Sequence, residues 1–436
     1  MHVVITPAPQ LTGEVVVPGD KSISHRGVML GALAEGKTRL SHFLAGEDCY
    51  NTIKAFQNMG IDIRMESCFS EDGSEERRLV IQGKGLHGLK KPVKEIQAGN
   101  SGTTARLLAG ILAGQPFEAV LDGDISLRKR PMDRIIEPLR LMGAKIGSRD
   151  NSNTLPLAIQ GGRLKGIEYT LPVASAQVKS AIILASLYAD SPTVIHQPAP
   201  SRDHTEILLR HFGGRLETRN HTLTAYPAQE LQGRDIRIPG DISSAAFFIT
   251  AALLVPHSRI TMKRVGINPT RTGILDIYHQ MGADISITNI DDTDGEPVGD
   301  ITATHCPLYG IEIGGSIIPR LIDEIPILAL AATQAHGTTV IRDAGELKVK
   351  ESNRIDSVVR CLRAFGADIE PTEDGMIING PSPLTGNIVT CRMDHRIAMM
   401  AAVAGLIAEG QTIITDGQWV NVSFPGFFQA MDELRS

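Results

Sequence analysis

Apolar and polar positions along this chain recur with a long period. Five segments share the form apolar–x–(Met or Phe)–Gly–x–x–apolar: Phe56-Gln-Asn-Met-Gly-Ile-Asp-Ile63, Leu141-Met-Gly-Ala-Lys-Ile146, Phe212-Gly-Gly-Arg-Leu216, Met281-Gly-Ala-Asp-Ile285 and Phe365-Gly-Ala-Asp-Ile369. Each predicts the end of a helix, a glycine C-cap and then a strand. The glycines fall at 60, 143, 213, 282 and 366, a spacing of about 70 to 84 residues, longer than that of solenoid repeats. Phe427-Phe-Gln-Ala-Met-Asp-Glu-Leu434 predicts a sixth helix whose following strand is missing.

A second correspondence relates two halves. Val15-Val-Val-Pro-Gly-Asp-Lys-Ser-Ile-Ser24 mirrors Ile236-Arg-Ile-Pro-Gly-Asp-Ile-Ser-Ser244. In both, a β-branched strand runs into Pro-Gly-Asp and then a small-residue apolar helix, expected over Ser22–Leu33 and Ser243–Leu254. Matching flanks on both sides make a chance turn the weaker reading. Six α/β units in two halves follow, joined near Asp20 and Arg237. The polar stretches Ser67–Arg78 and Asp291–Asp300 read as solvated hairpin loops.

Length and composition fit this picture: 436 residues suit two domains, with 42% hydrophobic and 21% charged residues. A net charge of −6, one Trp (Trp419) and 4% aromatics argue against a nucleic-acid surface. No apolar run approaches the ~20 residues of a membrane span. Met-His-Val-Val-Ile-Thr-Pro lacks a signal-peptide pattern, so a cytoplasmic protein is expected. The cysteines (Cys49, Cys68, Cys306, Cys361 and Cys391) are too scattered for metal or redox spacing, so no bound metal is expected.

The chemistry-bearing residues cluster at expected helix starts. Lys21-Ser-Ile-Ser-His-Arg26 puts Lys21, Ser22 and Arg26 at a helix N-terminus, which attracts anions; a Ser-capped surface helix with incidental charges is an equal alternative. Gly99-Asn-Ser-Gly-Thr-Thr-Ala-Arg106 reads as a loop where backbone approaches a phosphate or carboxylate, or as a well-capped turn. In Arg128-Lys-Arg-Pro-Met-Asp-Arg134, Pro131 is expected to open a helix, with Arg130 just before it. Ser175-Ala-Gln-Val-Lys179 leads a helix expected over Ser180–Leu187, and Ser201-Arg-Asp-His204 one over Thr205–His211. Leu321-Ile-Asp-Glu-Ile-Pro326 sets Asp323 among apolar neighbours, which favours proton transfer; an N-cap or an arginine partner remains open for it. In Lys348-Val-Lys-Glu-Ser-Asn-Arg354, Glu351 and Arg354 have the spacing of one helical face. Asp394-His-Arg396 precedes an apolar helix, Ile397–Ile407. Helices of a repeated unit would gather these ends at the interface of two domains, in a cleft for two anionic small molecules.

Lys21-Ser-Ile-Ser-His-Arg, Gly99-Asn-Ser-Gly-Thr, Arg130-Pro-Met, Ser175-Ala-Gln-Val-Lys-Ser, Leu347-Lys-Val-Lys-Glu-Ser-Asn-Arg and Asp394-His-Arg, in this order, resemble the 5-enolpyruvylshikimate-3-phosphate synthases, over essentially the whole chain. The resemblance implies an α/β fold of two domains, an inside-out α/β barrel of the enolpyruvyl transferase kind. Each domain would hold three βαβαββ-type units with pseudo-threefold symmetry. The domains would be 20–237 and 1–19 plus 238–436, with the active site between them. It implies no cofactor, and a monomer is expected. By motif position, shikimate 3-phosphate would meet Lys21, Ser22, Arg26, Ser175, Ala176, Gln177, Ser201, Arg202, Asp323 and Lys350. Phosphoenolpyruvate would meet Lys21, Asn100, Gly102, Arg130, Gln177, Arg354 and Arg396. Glu351 would be the proton donor, and Asp323, with Lys21, the acceptor. Two departures stand out: Asn421-Val-Ser-Phe-Pro425 lacks a lysine that some members carry there, and His204 stands where others have Tyr. The nearest rival, a UDP-N-acetylglucosamine enolpyruvyl transferase, would want Lys-Asn in the opening motif and a reactive cysteine in a mobile loop. A non-catalytic anion-binding regulator would lack Asp323 and Glu351.

Overall fold

The structure is a computed structural model that describes residues 1–69, 75–149, 152–292 and 295–435. Strands Asp62–Phe69 and Glu75–Lys84 occupy most of the first expected polar loop, and its centre, 70–74, lies outside the described residues. In the second, Asp284–Asp291 and Val298–Thr304 pair as a hairpin, so the expected loop is shorter than its polar composition suggested.

One unit recurs. Ile96–Gln97 is a short edge strand; the apolar helix Gly102–Ala113 follows and leads to Glu118–Asp122, which pairs parallel to it. The amphipathic helix Asp133–Leu141 then leads into the hairpin of Lys145–Ser148 and Leu157–Gln160. Five four-stranded sheets among the described residues have this order, one parallel pair followed by two antiparallel pairs. In the sixth, Ile388–Val389 and Thr412–Ile414 pair parallel, and the antiparallel place is filled by Val3–Ile5. No strand follows Phe427–Glu433 among the described residues, in keeping with the sequence pattern.

Contacts divide the chain into one unit of Gly19–Ile238 with Asp294–Glu296, and another of Met1–Pro18, Pro239–Thr293 and Pro297–Ser436. The two Pro-Gly-Asp turns mark where the chain passes between them. Each has a consequence invisible to local pattern. Thr12–Val15 leads in sequence to Lys21–Leu33, yet it pairs with Arg259–Gly266. Asp235–Arg237 leads to Ile242–Leu254, yet it pairs with Glu35–Ser41.

Each unit has its own core. Helices Lys21–Leu33, Gly102–Ala113 and Ala176–Ser186 form the centre of one; Ile242–Leu254, Ile325–Thr333 and His395–Ile407 that of the other. They are buried on nearly every side, as helices apolar all round must be. The strands alternate buried and open positions, with one face on the helices and one toward water. Contact between central helices depends on small residues. A Cβ at Gly110 would lie 2.2 Å from the Ala181 carbonyl oxygen. Gly110→Ala is therefore expected to cost about 3 kcal/mol, as overpacking that only a backbone shift can relieve, and a urea midpoint equal to that of the parent would refute this close approach.

Among the described residues, no helix is long and apolar enough to cross a membrane.

Candidate functional site

The sequence motifs sit at helix starts, and side chains build those starts. Asp20 accepts from Ile23 N at 2.9 Å, Ser101 from Thr104 N at 3.1 Å, Ser175 from Val178 N at 3.4 Å, Asp241 from Ser243 N at 2.8 Å and Asp394 from Arg396 N at 3.0 Å. Five of the six central helices are thus capped; Ile325–Thr333, which follows Glu324, receives no side-chain cap.

In the unit of Gly19–Ile238, Lys21 opens its helix and its Nζ lies 3.2 Å from Asp48 Oδ2. Arg26, expected as a donor near the helix N-terminus, is buried and bonded to protein groups. Its Nε donates to Thr205 Oγ1 at 2.6 Å, Nη2 to Ser180 Oγ at 3.0 Å and Nη1 to the Ser22 carbonyl at 2.9 Å. Burial lowers its pKa to about 10, opposed chiefly by Glu206, with nearby Arg202 adding to the fall. Arg26 therefore ties three helices together. His25 is buried too; burial, then Lys21 and Arg26, push its pKa well below the ordinary value, so the ring is neutral. Its Nδ1 meets Thr52 Oγ1, which meets Thr104 Oγ1, each at 2.7 Å, linking the Lys21 helix to the Gly102 helix.

Arg130 holds the Asn100–Gly102 turn. Arg130 Nη2 donates to Asn100 Oδ1 at 2.5 Å, and Asn100 Nδ2 to Asp124 Oδ2 at 2.7 Å. Gln177 accepts from Arg106 Nη1 at 2.5 Å and donates to Thr103 Oγ1 at 3.1 Å. Arg106, one turn beyond Gly102 on the same helix, carries a role that its motif alone does not assign; the four-residue spacing is the signal that could have found it. Pro131 does not open a helix: Arg130 ends the 3₁₀ turn Leu127–Lys129, and the helix Asp133–Leu141 starts after Met132. Met132 is its N-cap: its carbonyl accepts from Ile136 N at 2.9 Å, and its own N–H donates to the Asn153 carbonyl at 2.8 Å.

Ser175 is the cap and Ala176 the first residue of Ala176–Ser186, which starts four residues before the expected Ser180. Likewise His204–His211 begins at His204. Ser201 donates to Gln197 Oε1 at 3.1 Å, while its carbonyl accepts from Lys179 Nζ at 3.1 Å. Lys179 is 1% exposed and pairs with Glu206 at 2.6 Å. His204 Nδ1 lies 2.7 Å from Glu296 Oε1, both buried.

In the unit of Pro239–Ser436, one guanidinium organises the rest. Arg354 is 1% exposed: Nε donates to Asp394 at 3.0 Å, Nη1 to Asp323 at 3.2 Å and Nη2 to Glu351 at 2.5 Å. Burial opposes its charge, but Asp394, Glu351 and Asp323 outweigh burial and raise its pKa. For Asp394, burial pulls upward, and Arg354 overcomes it to hold the carboxyl below its ordinary value. Glu351 is not on a helical face with Arg354: Asn353 caps the helix Arg354–Ala364, and Glu351 precedes it in a loop. Asp323 is not an N-cap, and its surroundings are cationic as well as apolar. Lys350 Nζ lies 3.4 Å from its carboxylate and Arg396 Nη1 donates to its carbonyl at 2.9 Å. Lys348 is exposed, and Val422 ends the 3₁₀ turn Gly417–Val422. Chemically, the first cluster offers arginine forks and amide donors for anions. The second offers two partly open carboxylates beside cations, the equipment for moving protons.

The family model described as EPSP synthase (3-phosphoshikimate 1-carboxyvinyltransferase) matches residues 5–431. The chain is 55% identical over 431 residues to the 3-phosphoshikimate 1-carboxyvinyltransferase of Geobacillus kaustophilus, covering 98% of this chain and 99% of that one. With the same-named protein of Desulforamulus reducens it shares 54% over 434 residues, covering 100% and 99%. Among solved structures, EPSP synthase from Acinetobacter baumannii superposes with a TM-score of 0.87 at 43% identity, covering 100% and 98%. The enolpyruvyl transferase NikO from Streptomyces tendae, at 17% identity and a TM-score of 0.76 over 99% and 96% of the two chains, shares the fold. On the full-length match and these identities, the chain belongs to the EPSP synthase (3-phosphoshikimate 1-carboxyvinyltransferase) family.

Proposed function

We propose that the chain transfers the enolpyruvyl group of phosphoenolpyruvate to the 5-hydroxyl of shikimate 3-phosphate, releasing phosphate. The observation that carries this reading is 54–55% identity, over nearly the whole length, to relatives named for that reaction. Glu351 donates a proton to the methylene carbon of phosphoenolpyruvate, which makes the neighbouring carbon electrophilic. The 5-hydroxyl attacks that carbon while Asp323, with Lys21, takes its proton. The tetrahedral intermediate then expels phosphate and loses one methyl proton, which restores the enol ether. Lys21, Asn100, Gly102, Arg130, Gln177, Arg354 and Arg396 serve phosphoenolpyruvate. Lys21, Ser22, Arg26, Ser175, Ala176, Gln177, Ser201, Arg202, Asp323 and Lys350 serve shikimate 3-phosphate. Cations around the phosphate and carboxylate stabilise charge as it shifts.

The test is phosphate release from phosphoenolpyruvate, with shikimate 3-phosphate or UDP-N-acetylglucosamine as acceptor. Release dependent on shikimate 3-phosphate is expected; release only with the nucleotide sugar would overturn the substrate assignment.

Gly102 gives a sharper check. A Cβ there would lie 3.2 Å from Arg106 Nη1, tight enough that this flexible guanidinium must give by a few tenths of an ångström, and would come into ordinary contact with Arg130 Nη1 at 3.4 Å. Gly102→Ala should fold normally but raise the KM for phosphoenolpyruvate about tenfold, as loss of one good charged contact would. The KM for shikimate 3-phosphate should hardly move; equal increases in both would show that the residue does not discriminate between the substrates.

A further inference from the structure

We propose that Glu324 is a positioning residue, which fixes Asp323 through a buried network with Ser243, Arg271 and Asp241. Glu324 is 1% exposed and stands directly before the one central helix that lacks a side-chain cap. Its carboxylate does not turn back to cap that helix. It reaches the first turn of Ile242–Leu254, where Ser243 Oγ donates to Glu324 Oε1. Arg271 Nη2, 3% exposed, lies 3.6 Å from the same oxygen and donates to Ser243 Oγ at 2.7 Å and Asp241 Oδ1 at 3.3 Å. Two buried carboxylates thus share one guanidinium, and among the described residues Glu324 Oε2 has no hydrogen-bond partner. Such a network is a poor way to gain stability, because desolvating these groups costs about as much as pairing them returns.

What it provides is placement. The Asp323 carbonyl is held by Arg396, and the Glu324 N–H donates to the Leu321 carbonyl at 2.9 Å. With the Glu324 side chain anchored to a different helix, the peptide between residues 323 and 324 is fixed from both sides. The Asp323 carboxylate then has one direction, toward Lys350 and Arg354. Misplacing a reacting group by about 1 Å costs on the order of 10²-fold in rate. This positioning role holds only if Asp323 is the proton acceptor.

The experiment is a double-mutant cycle read by kcat. Glu324→Ala is expected to lower kcat by about 30-fold, with the KM for phosphoenolpyruvate within about twofold of the parent. Glu324→Gln, which keeps an oxygen for Ser243, should recover most of the loss. In an Asp323→Ala background, Glu324→Ala should cost nothing further, because nothing remains to position. Losses that multiply in the double variant, or a Gln variant no better than Ala, would overturn the proposal. If Asp323→Ala alone turns over normally, the assignment of Asp323 fails and takes this inference with it. Should Glu324→Ala not fold, Ser243→Ala removes the donor without a change of charge. A loss of about fivefold supports the link, and parental kcat overturns it.

Discussion

Glu351→Gln lowers kcat by about 10²- to 10⁴-fold, the range of general acid catalysis, and leaves the protein folded. The carboxylate accepts from Arg354 and its side chain is 22% exposed; glutamine can accept the same bond. Arg354 still has Asp323 and Asp394 as counter-charges, so the charge balance of the cluster survives. What glutamine cannot do is hand a proton to carbon. The two effects separate in one pair of measurements. Phosphate release should collapse, and solvent deuterium should enter the methylene carbon of phosphoenolpyruvate correspondingly slowly, while the urea midpoint stays near that of the parent. Near-normal turnover would remove Glu351 from the proton-donor role, whatever the binding constants did.

Local pattern carried much of the architecture. Gly60, Gly143, Gly213, Gly282 and Gly366 all have positive φ, from +85° to +107°, a region in which L side chains are strained, so glycine had to mark each helix end. The Pro-Gly-Asp pair was legible for a similar reason: the aspartates are N-caps, and a cap has a fixed place relative to its helix. The strand exchange between halves left no periodic trace, because the partners Thr12–Val15 and Arg259–Gly266 lie so far apart in the chain; only the family resemblance grouped 1–19 with 238–436. In the candidate site, the motifs located the helix starts but not how each side chain is used. Arg26 spends two of its nitrogens on neighbouring helices and the third on its own. Asp323 was read from its apolar neighbours in sequence, whereas Arg354 and Lys350 reach it from roughly thirty positions away. The Glu324–Ser243–Arg271 network is wholly long-range, and no spacing rule joins those residues.

Arg354→Met is the substitution with the largest expected effect on stability. Methionine fills similar volume without charge, so the loss comes from carboxylates left without their cation. Breaking a buried pair in this way costs about 3–5 kcal/mol. The pH dependence identifies the cause. In the parent, Arg354 holds Asp394 below its ordinary value of 3.8. Its contribution is therefore complete above about pH 4 and fades as pH falls through the lower folded-state pKa. Without Arg354, burial is the largest influence left on Asp394 and acts upward. The folded variant then binds protons more readily than the unfolded chain, and it gains stability as pH falls. The difference between parent and variant should thus be widest near neutrality and narrow steadily toward about pH 4, as followed by urea midpoints across that range. Adding Asp394→Asn to Arg354→Met should recover part of the loss at neutral pH, since it removes the most deeply buried of the three carboxylates. A deficit that stays constant with pH, and that Asp394→Asn does not reduce, would mean that Arg354 stabilises the fold by packing and not by charge.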